Sequence, residues 1–374
     1  MNLIIEPADG VAPILSAIKS AKKSVEIAIF RFDRKDIEMA LKTAAAKGVR
    51  VTALIAEANR GGTKNLRKLE LRFLEAGIIV ARTADDLVRY HGKYILIDRR
   101  ILYVLSFNFT HLDIDHSRGF GVVSRRTAHI QEATRLFKAD CTRVRYAPRG
   151  ETLVVSPANS RAVLGTFLKR AKTQLLIYDP RVSDKEMLRI LQERAKAGVE
   201  IQVIGQVAGK TSIEAKKLGS VRLHTRTIIR DRRQAFVGSQ SLRSIELDSR
   251  REVGLVVQDA TSVKQLIATF EADWAKSSGK SAAKAADAAD VNEEPAAATS
   301  KKDAAKAVKV FKKQIQPLAT TVKKAVRQAV EKVGQDVLHD KDVKDTMKKV
   351  VKKAVKEAVK DAVNQAKADL PESA

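Results

Sequence analysis

The stretch VEIAIFRFDRKDIEMALKTAAAKGVRVTALIAE, residues 25–57, returns as QLLIYDPRVSDKEMLRILQERAKAGVEIQVIGQ, residues 174–206. In each copy a β-rich run leads into an amphipathic helical pattern, an Ala-Lys-Gly or Lys-Ala-Gly stop, and a second apolar run. Gly48 and Gly198 take the same place, where a left-handed residue closes a helix and glycine adopts it without a side-chain clash. Strand alternating with helix through short turns predicts an α/β sandwich in each half.

Further along each half a second pair of blocks matches. HGKYILIDRRILYVLSFN spans residues 91–108 and HTRTIIRDRRQAFVGSQS spans residues 224–241. Aligned without gaps, His91 meets His224, Lys93 meets Arg226, Asp98 meets Asp231, Ser106 meets Ser239 and Asn108 meets Ser241. Residues two apart on a strand share a face, so each copy sets a histidine beside a cation. A single strand histidine is ordinarily structural, whereas two at equal spacing in a duplicated chain point to a shared pocket. Two imidazoles suit a phosphodiester, which is anionic and resists attack. Near neutral pH one ring serves as nucleophile while the other, protonated, serves as acid. Lys93 and Arg226 then hold the non-bridging oxygens, and Ser106, Asn108, Ser239 and Ser241 donate further hydrogen bonds. There is no HxxxH, no CxxC and no run of carboxylates with metal-ligand spacing, so neither a metal nor another cofactor is expected.

Composition limits the setting. The chain has 374 residues, 70 of them Lys or Arg against 44 Asp or Glu, for a formal net charge of +26. Residues 276–374 hold 22 of the basic and 14 of the acidic side chains, which leaves residues 1–275 with an excess of 18. Such a charge draws phosphate-bearing partners without choosing among them. One cysteine, Cys141, excludes an intrachain disulfide. The opening MNLIIEPADG lacks the basic start of a secretory leader, and no stretch reaches the roughly 18 uncharged apolar residues of a membrane span. The expectation is a cytoplasmic protein with no transmembrane segment.

The two later blocks resemble the phospholipase D superfamily, whose signature is His-x-Lys-x4-Asp followed by Gly-Ser-x-Asn, present twice per active unit. The resemblance covers roughly residues 1–275. It implies two α/β halves related by a pseudo-twofold axis, one active site at their junction, and a covalent phosphohistidine. It also implies His91 as nucleophile and His224 as general acid. Asp98 and Asp231 complete the motif and are grouped with the catalytic residues, although the family's aspartate is more often a structural partner. The sequence departs from the pattern at several places. Leu105 replaces a glycine, and Gly119 stands where a glutamate often follows. The second copy keeps Gly238 and Glu252, the latter expected to orient a histidine, but has Arg226 for lysine and Ser241 for asparagine. Asp113 or Asp115 is the candidate to replace the carboxylate missing at Gly119.

The resemblance implies a phosphodiesterase and leaves its substrate open. A phospholipid head group is the first reading, consistent with a basic amphipathic tail lying on an anionic membrane. Cleavage of DNA or RNA is the alternative, supported by the basic body and the arginine-rich RDRRQ and SRREV segments. A third reading is an inactive phosphate-binding module that anchors the tail to nucleic acid or membrane. Arg60, Lys64, Arg67 and Lys68 either line the mouth of the site or form a solvated helix face. The organisation expected is a first half over 1–147, a second over 148–275, a disordered Ala/Ser/Lys/Asp linker over 276–305, and a Lys/Ala/Val-rich helical tail over 306–374 that associates with itself or with a polyanion.

Overall fold

The structure is a computed structural model that describes residues 1–57, 63–209 and 211–279. The first half runs β1 (Asn2–Glu6), α1 (Ala12–Ser20), β2 (Ser24–Ile29), α2 (Lys35–Ala46), β3 (Arg50–Ile55), α3 (Thr63–Glu75) and β4 (Ile79–Arg82). It continues with β5 (Arg89–Tyr90), β6 (Tyr94–Ile97), β7 (Ile101–Leu105), α4 (His111–His116), β8 (Ser117–Ser124) and α5 (Thr127–Cys141). The second half runs β9 (Val154–Val155), α6 (Ser160–Lys169), β10 (Gln174–Val182), α7 (Lys185–Lys196), β11 (Glu200–Val207), β12 (Glu214–Lys217) and β13 (Arg222–Leu223). Then come β14 (Arg226–Arg230), β15 (Gln234–Gly238), α8 (Ser244–Asp248), β16 (Arg250–Arg251), β17 (Val253–Val257), α9 (Ala260–Lys276) and β18 (Ser278–Gly279).

Each half builds one sheet. The first has the order β1-β8-β7-β6-β2-β3-β4, and the second β18-β12-β11-β10-β14-β15-β17-β9. The repeated blocks occupy matching places: β2 pairs parallel with β3 and antiparallel with β6, as β10 does with β11 and β14. Helices cover the outer faces and the two inner faces pack on each other. The central strands are therefore apolar on both sides and read as continuous hydrophobic runs. Leu96, Leu102, Val104, Phe120 and Val122 of one sheet meet Leu176, Tyr178, Ile229, Val237 and Leu255 of the other in a shared core, closed by α5 and α9. Gly48 and Gly198 end their helices at φ +83° and +86°, the left-handed conformation the sequence called for.

Two short ribbons join the halves. β16 pairs parallel with β5, and β13 pairs parallel with β8. Ser278 and Gly279 pair with Lys217 and Lys216 at the edge of the second sheet. The expected disordered linker therefore does not begin at residue 276: regular structure persists through Gly279 because an open sheet edge is there to receive it. The rest of the linker and the tail over 306–374 lie outside the described residues. No helix among the described residues is long and apolar enough to cross a membrane.

Candidate active site

The ribbons seat the two histidines. The His91 amide donates to the Arg251 carbonyl at 2.7 Å, and the His224 amide donates to the Arg118 carbonyl at 3.2 Å. Each histidine is thus anchored to the other half, one residue before Glu252 or Gly119. Both rings are buried, as are Lys93 and Arg226. Charges from both halves act on His91. Burial first, and then the charges of Lys93, Arg226, Arg250 and Arg89, hold its imidazole well below the ordinary 6.5. Arg226 and Arg250 come from the second half.

His91 is fixed on three sides. Its Nδ1 lies 2.8 Å from Glu252 Oε2, the Lys93 Nζ lies 2.7 Å from its Nε2, and Phe30 packs edge-on with ring centroids 4.6 Å apart. An ammonium has hydrogens to give and no lone pair to accept with, so Nε2 is the acceptor and the ring proton sits on Nδ1, facing Glu252. Burial and the nearby Glu246 push the Glu252 carboxyl up, while Lys93, Arg250 and the Ser239 hydroxyl pull it back.

His224 has a different neighbour. Its Nε2 lies 3.4 Å from Asp113 Oδ2. Asp113 sits on α4, whose first turn is capped by the Thr110 hydroxyl accepting from the Asp113 amide. Burial alone would raise this carboxyl. His224, Arg222 and the amide groups of Asn108 outweigh burial and hold it below its usual value. Asp113 is therefore the acid beside His224, and Asp115 is not: Asp115 ion-pairs with Arg34 at 2.7 Å and lies 2.9 Å from His111 Nδ1.

Gly119 leaves no room for the glutamate of the pattern. A Cβ there would lie 2.8 Å from Phe107 Cδ1. Its cross-strand partner is Glu6, fully buried, whose carbonyl accepts from Arg118 Nη1 at 2.6 Å. Burial, with Asp9 and Asp115 adding to it, pushes the Glu6 carboxyl up to about 8 against the pull of the Gly10 amide and Arg34.

Several expected site residues prove to have other work. Asp98 and Asp231 stand at the far turns of their hairpins, seven residues and about 23 Å along the strand from the histidines. Asp98 accepts from the amides of Lys22, Lys23 and Ser24 at 3.0, 2.6 and 2.8 Å, and Asp231 from Lys172, Thr173 and Gln174 at 2.9, 2.7 and 3.1 Å. They tie each hairpin turn to the start of a central strand, and grouping them with the catalytic residues is corrected accordingly. Both hold left-handed φ angles, 52° and 51°, which aspartate tolerates better than most residues.

The four expected phosphate donors also have partners within the protein. Ser106 Oγ accepts from the Phe120 amide at 2.9 Å, and Ser239 Oγ accepts from the Val253 amide at 3.1 Å. The Asn108 side chain donates to Asp113 at 2.7 Å, and the Ser241 hydroxyl donates to Asp179 at 2.8 Å. Arg226 Nη1 donates to the His224 carbonyl at 2.6 Å. Arg67 is held by Glu70 at 2.5 Å and the Ala56 carbonyl at 3.0 Å. Arg60 and the Lys64 side chain lie outside the described residues.

Glu246 is the residue that sequence reasoning missed. It is buried, accepts from the Ser241 amide at 2.7 Å, and lies 3.9 Å from Arg226, 3.6 Å from Arg243 and 3.4 Å from Arg250. Its signal was present: Asp113 follows Asn108 by five residues, as Glu246 follows Ser241. Residues 14–141 and 164–274 match the family described as "Cardiolipin synthase, PLD-like domain". The chain belongs to the phospholipase D superfamily.

Solved structures agree on the fold. Polyphosphate kinase from Porphyromonas gingivalis is 19% identical with a TM-score of 0.62, over 72% of this chain and 46% of that one. This chain therefore spans less than half the length of that enzyme. Phosphatidylserine synthase of Haemophilus influenzae Rd KW20 is 10% identical with a TM-score of 0.54, over 74% of this chain and 85% of that one. The phospholipase D family member Nuc from Salmonella typhimurium is 24% identical over 38% of this chain and 95% of that one, with a TM-score of 0.36. A comparison with curated proteins found no match.

Proposed function

We propose that this phospholipase D superfamily chain breaks phosphodiester bonds through a phosphohistidine at His91. The observation that carries the reading is the opposite protonation the two rings are built for. Lys93 leaves a lone pair on His91 Nε2, while a charged Asp113 faces His224 Nε2 and suits a proton there. In the first step the Nε2 lone pair of His91 forms a P–N bond, the bond to the leaving oxygen breaks, and that oxygen takes the proton from His224. In the second, His224 removes a proton from water as the water oxygen attacks phosphorus and the P–N bond breaks. Lys93 and Arg226 balance the charge on the non-bridging oxygens. Glu252 holds the His91 tautomer and balances the positive ring that forms, so it positions the nucleophile without touching substrate.

A phospholipid head group is the first substrate reading, resting on the match to the cardiolipin synthase type of domain. A nucleic acid is the second. It is favoured by the arginines buried about the histidines, Arg89, Arg243 and Arg250, since a polymer brings further phosphates to them. The test is turnover in EDTA of labelled phosphatidylcholine, phosphatidylglycerol, single-stranded DNA and RNA, with His91→Ala beside wild type. A base-stable, acid-labile phosphoryl label on His91 in the His224→Ala protein, formed from a substrate whose leaving group departs without a proton, is the expected signature. Activity that survives His91→Ala would sink the mechanism; cleavage of DNA without lipid would choose the second substrate.

A further inference from the structure

A cavity of about 820 Å³ opens at the far turn of the second half, away from the histidines. Lys169, Arg170, Lys172, Arg194, Arg230 and Arg233 line it, with Asp231 as its one acid. β14 connects the two places: it begins at Arg226 and ends at Arg230, a run of about 14 Å. The Asp231 carboxylate is spent on the backbone amides of residues 172–174.

The duplication shows that half of this charge is not needed to build the turn: the first half keeps Lys19, Lys22 and Arg100 at the places of Lys169, Lys172 and Arg233. Where the second half has Arg170, Arg194 and Arg230, the matching positions of the first hold Ser20, Ala44 and Ile97. Three changes scattered over 61 residues of sequence converge on one cavity. Arg230 is also held in place. Its guanidinium stacks 4.3 Å over the Phe167 ring, donates to the Phe167 carbonyl at 2.9 Å and bonds the Gln234 side chain. Like charges this close repel, and part of the cost is met by α6 and α7, whose negative carboxyl ends both arrive here. An incoming anion relieves the remainder.

We infer that this cavity is a second binding site, separate from the histidine pair, for a chain of phosphates such as the backbone of a nucleic-acid strand. The site is concave, so it receives a strand better than a flat membrane. None of the exposed large hydrophobic side chains among the described residues, such as Met39, Leu71 and Leu74, lies in it, and a lipid surface would call for such groups. A nucleic-acid strand and inorganic polyphosphate share the recognised chemistry, and the experiment separates them.

Binding of a short labelled single strand to the full chain is measured against salt for three proteins. These are wild type, Arg170→Ala/Lys172→Ala/Arg194→Ala/Arg233→Ala, and a control Lys19→Ala/Lys47→Ala/Lys138→Ala/Lys264→Ala with four exposed cations removed elsewhere. The cavity variant is expected to bind at least tenfold more weakly, with a log–log salt slope shallower by roughly 2–3, from about 0.7 per phosphate contact on a single strand. The control should change much less. Equal losses in both variants, or none in the cavity variant, would overturn the site. So would loss of binding to phosphatidylglycerol vesicles with strand binding intact, which would assign the surface to a membrane. Competition by unlabelled strand and by polyphosphate, matched in phosphate, names the source. Turnover of a small chromogenic phosphodiester should stay unchanged in the cavity variant, so a failed exosite and a failed catalytic reading are seen in different assays.

Discussion

The two halves answer the same need with carboxylates placed differently. In the second half Glu252 follows Arg251 on the chain and reaches the His91 imidazole of the first half directly. In the first half the matching position is Gly119, filled over by Phe107, and the acid near His224 is Asp113, supplied from a short helix. One rung across from Gly119 stands the buried Glu6, while the residue beside Glu252 on β9's continuation is Ser156, whose amide donates to the Glu252 carbonyl at 3.0 Å. Duplication preserved the backbone frame and the histidines, and let the acids move. The two rings therefore meet different neighbours: His91 lies between Glu252 and Lys93, and His224 faces Asp113.

The largest effect that tests this asymmetry is at the histidines. His91→Ala is expected to lower kcat by roughly four orders of magnitude or more, and His224→Ala to slow both steps, with the phosphoryl enzyme accumulating only from substrates whose leaving group needs no proton. Equal labelling of both histidines in the intact enzyme would erase the distinction. Next come the acids. Glu252→Gln should cost roughly 10³-fold in kcat/KM and Asp113→Asn roughly 10²-fold, with Asp113→Asn hurting substrates with poor leaving groups most. Asp113→Asn that spares those substrates would remove Asp113 from the acid's side of the comparison.

Two smaller effects probe the shared frame. Asp98→Ala and Asp231→Ala each leave three amides without their carboxylate, and each should lower stability by about 2–3 kcal/mol in denaturant titrations with kcat unaltered. Glu6→Gln goes the other way. The folded chain holds a proton on a carboxyl raised to about 8, which the unfolded chain gives up near 4.5, so stability falls as pH rises through that window. The gain in stability of the variant over wild type should be larger at pH 8 than at pH 4.5. The smallest effect is a shift of profile. His91 is held down by burial and by neighbouring cations, so the acid limb of kcat/KM should lie below pH 6.5. Arg89→Met removes one such charge, makes the protonated ring easier to form and moves that limb upward by a fraction of a unit.

The sandwich halves, the helix stops at Gly48 and Gly198 and the matching hairpins were legible because short-range periodicity and turn chemistry encode them. The acids were only partly legible. Glu252 was visible as a carboxylate, but its contact with His91 spans 161 residues and depends on how the sheets face each other. Asn108 and Ser241 read as open donors because a sequence shows a donor without showing what already accepts from it. Their acceptors, Asp113 and Asp179, come from a helix and a neighbouring strand. The burial of Arg89, Arg243 and Arg250 was not legible, since composition does not reveal which side chains the fold turns inward.

The ribbons that carry the histidine amides to Arg251 and Arg118 have a consequence for the life of the molecule. Either half alone would keep a sheet and a motif, yet lack the carbonyl that seats its own imidazole, so both histidines are seated only when the two halves are paired. A site built this way takes shape only on completion of the fold.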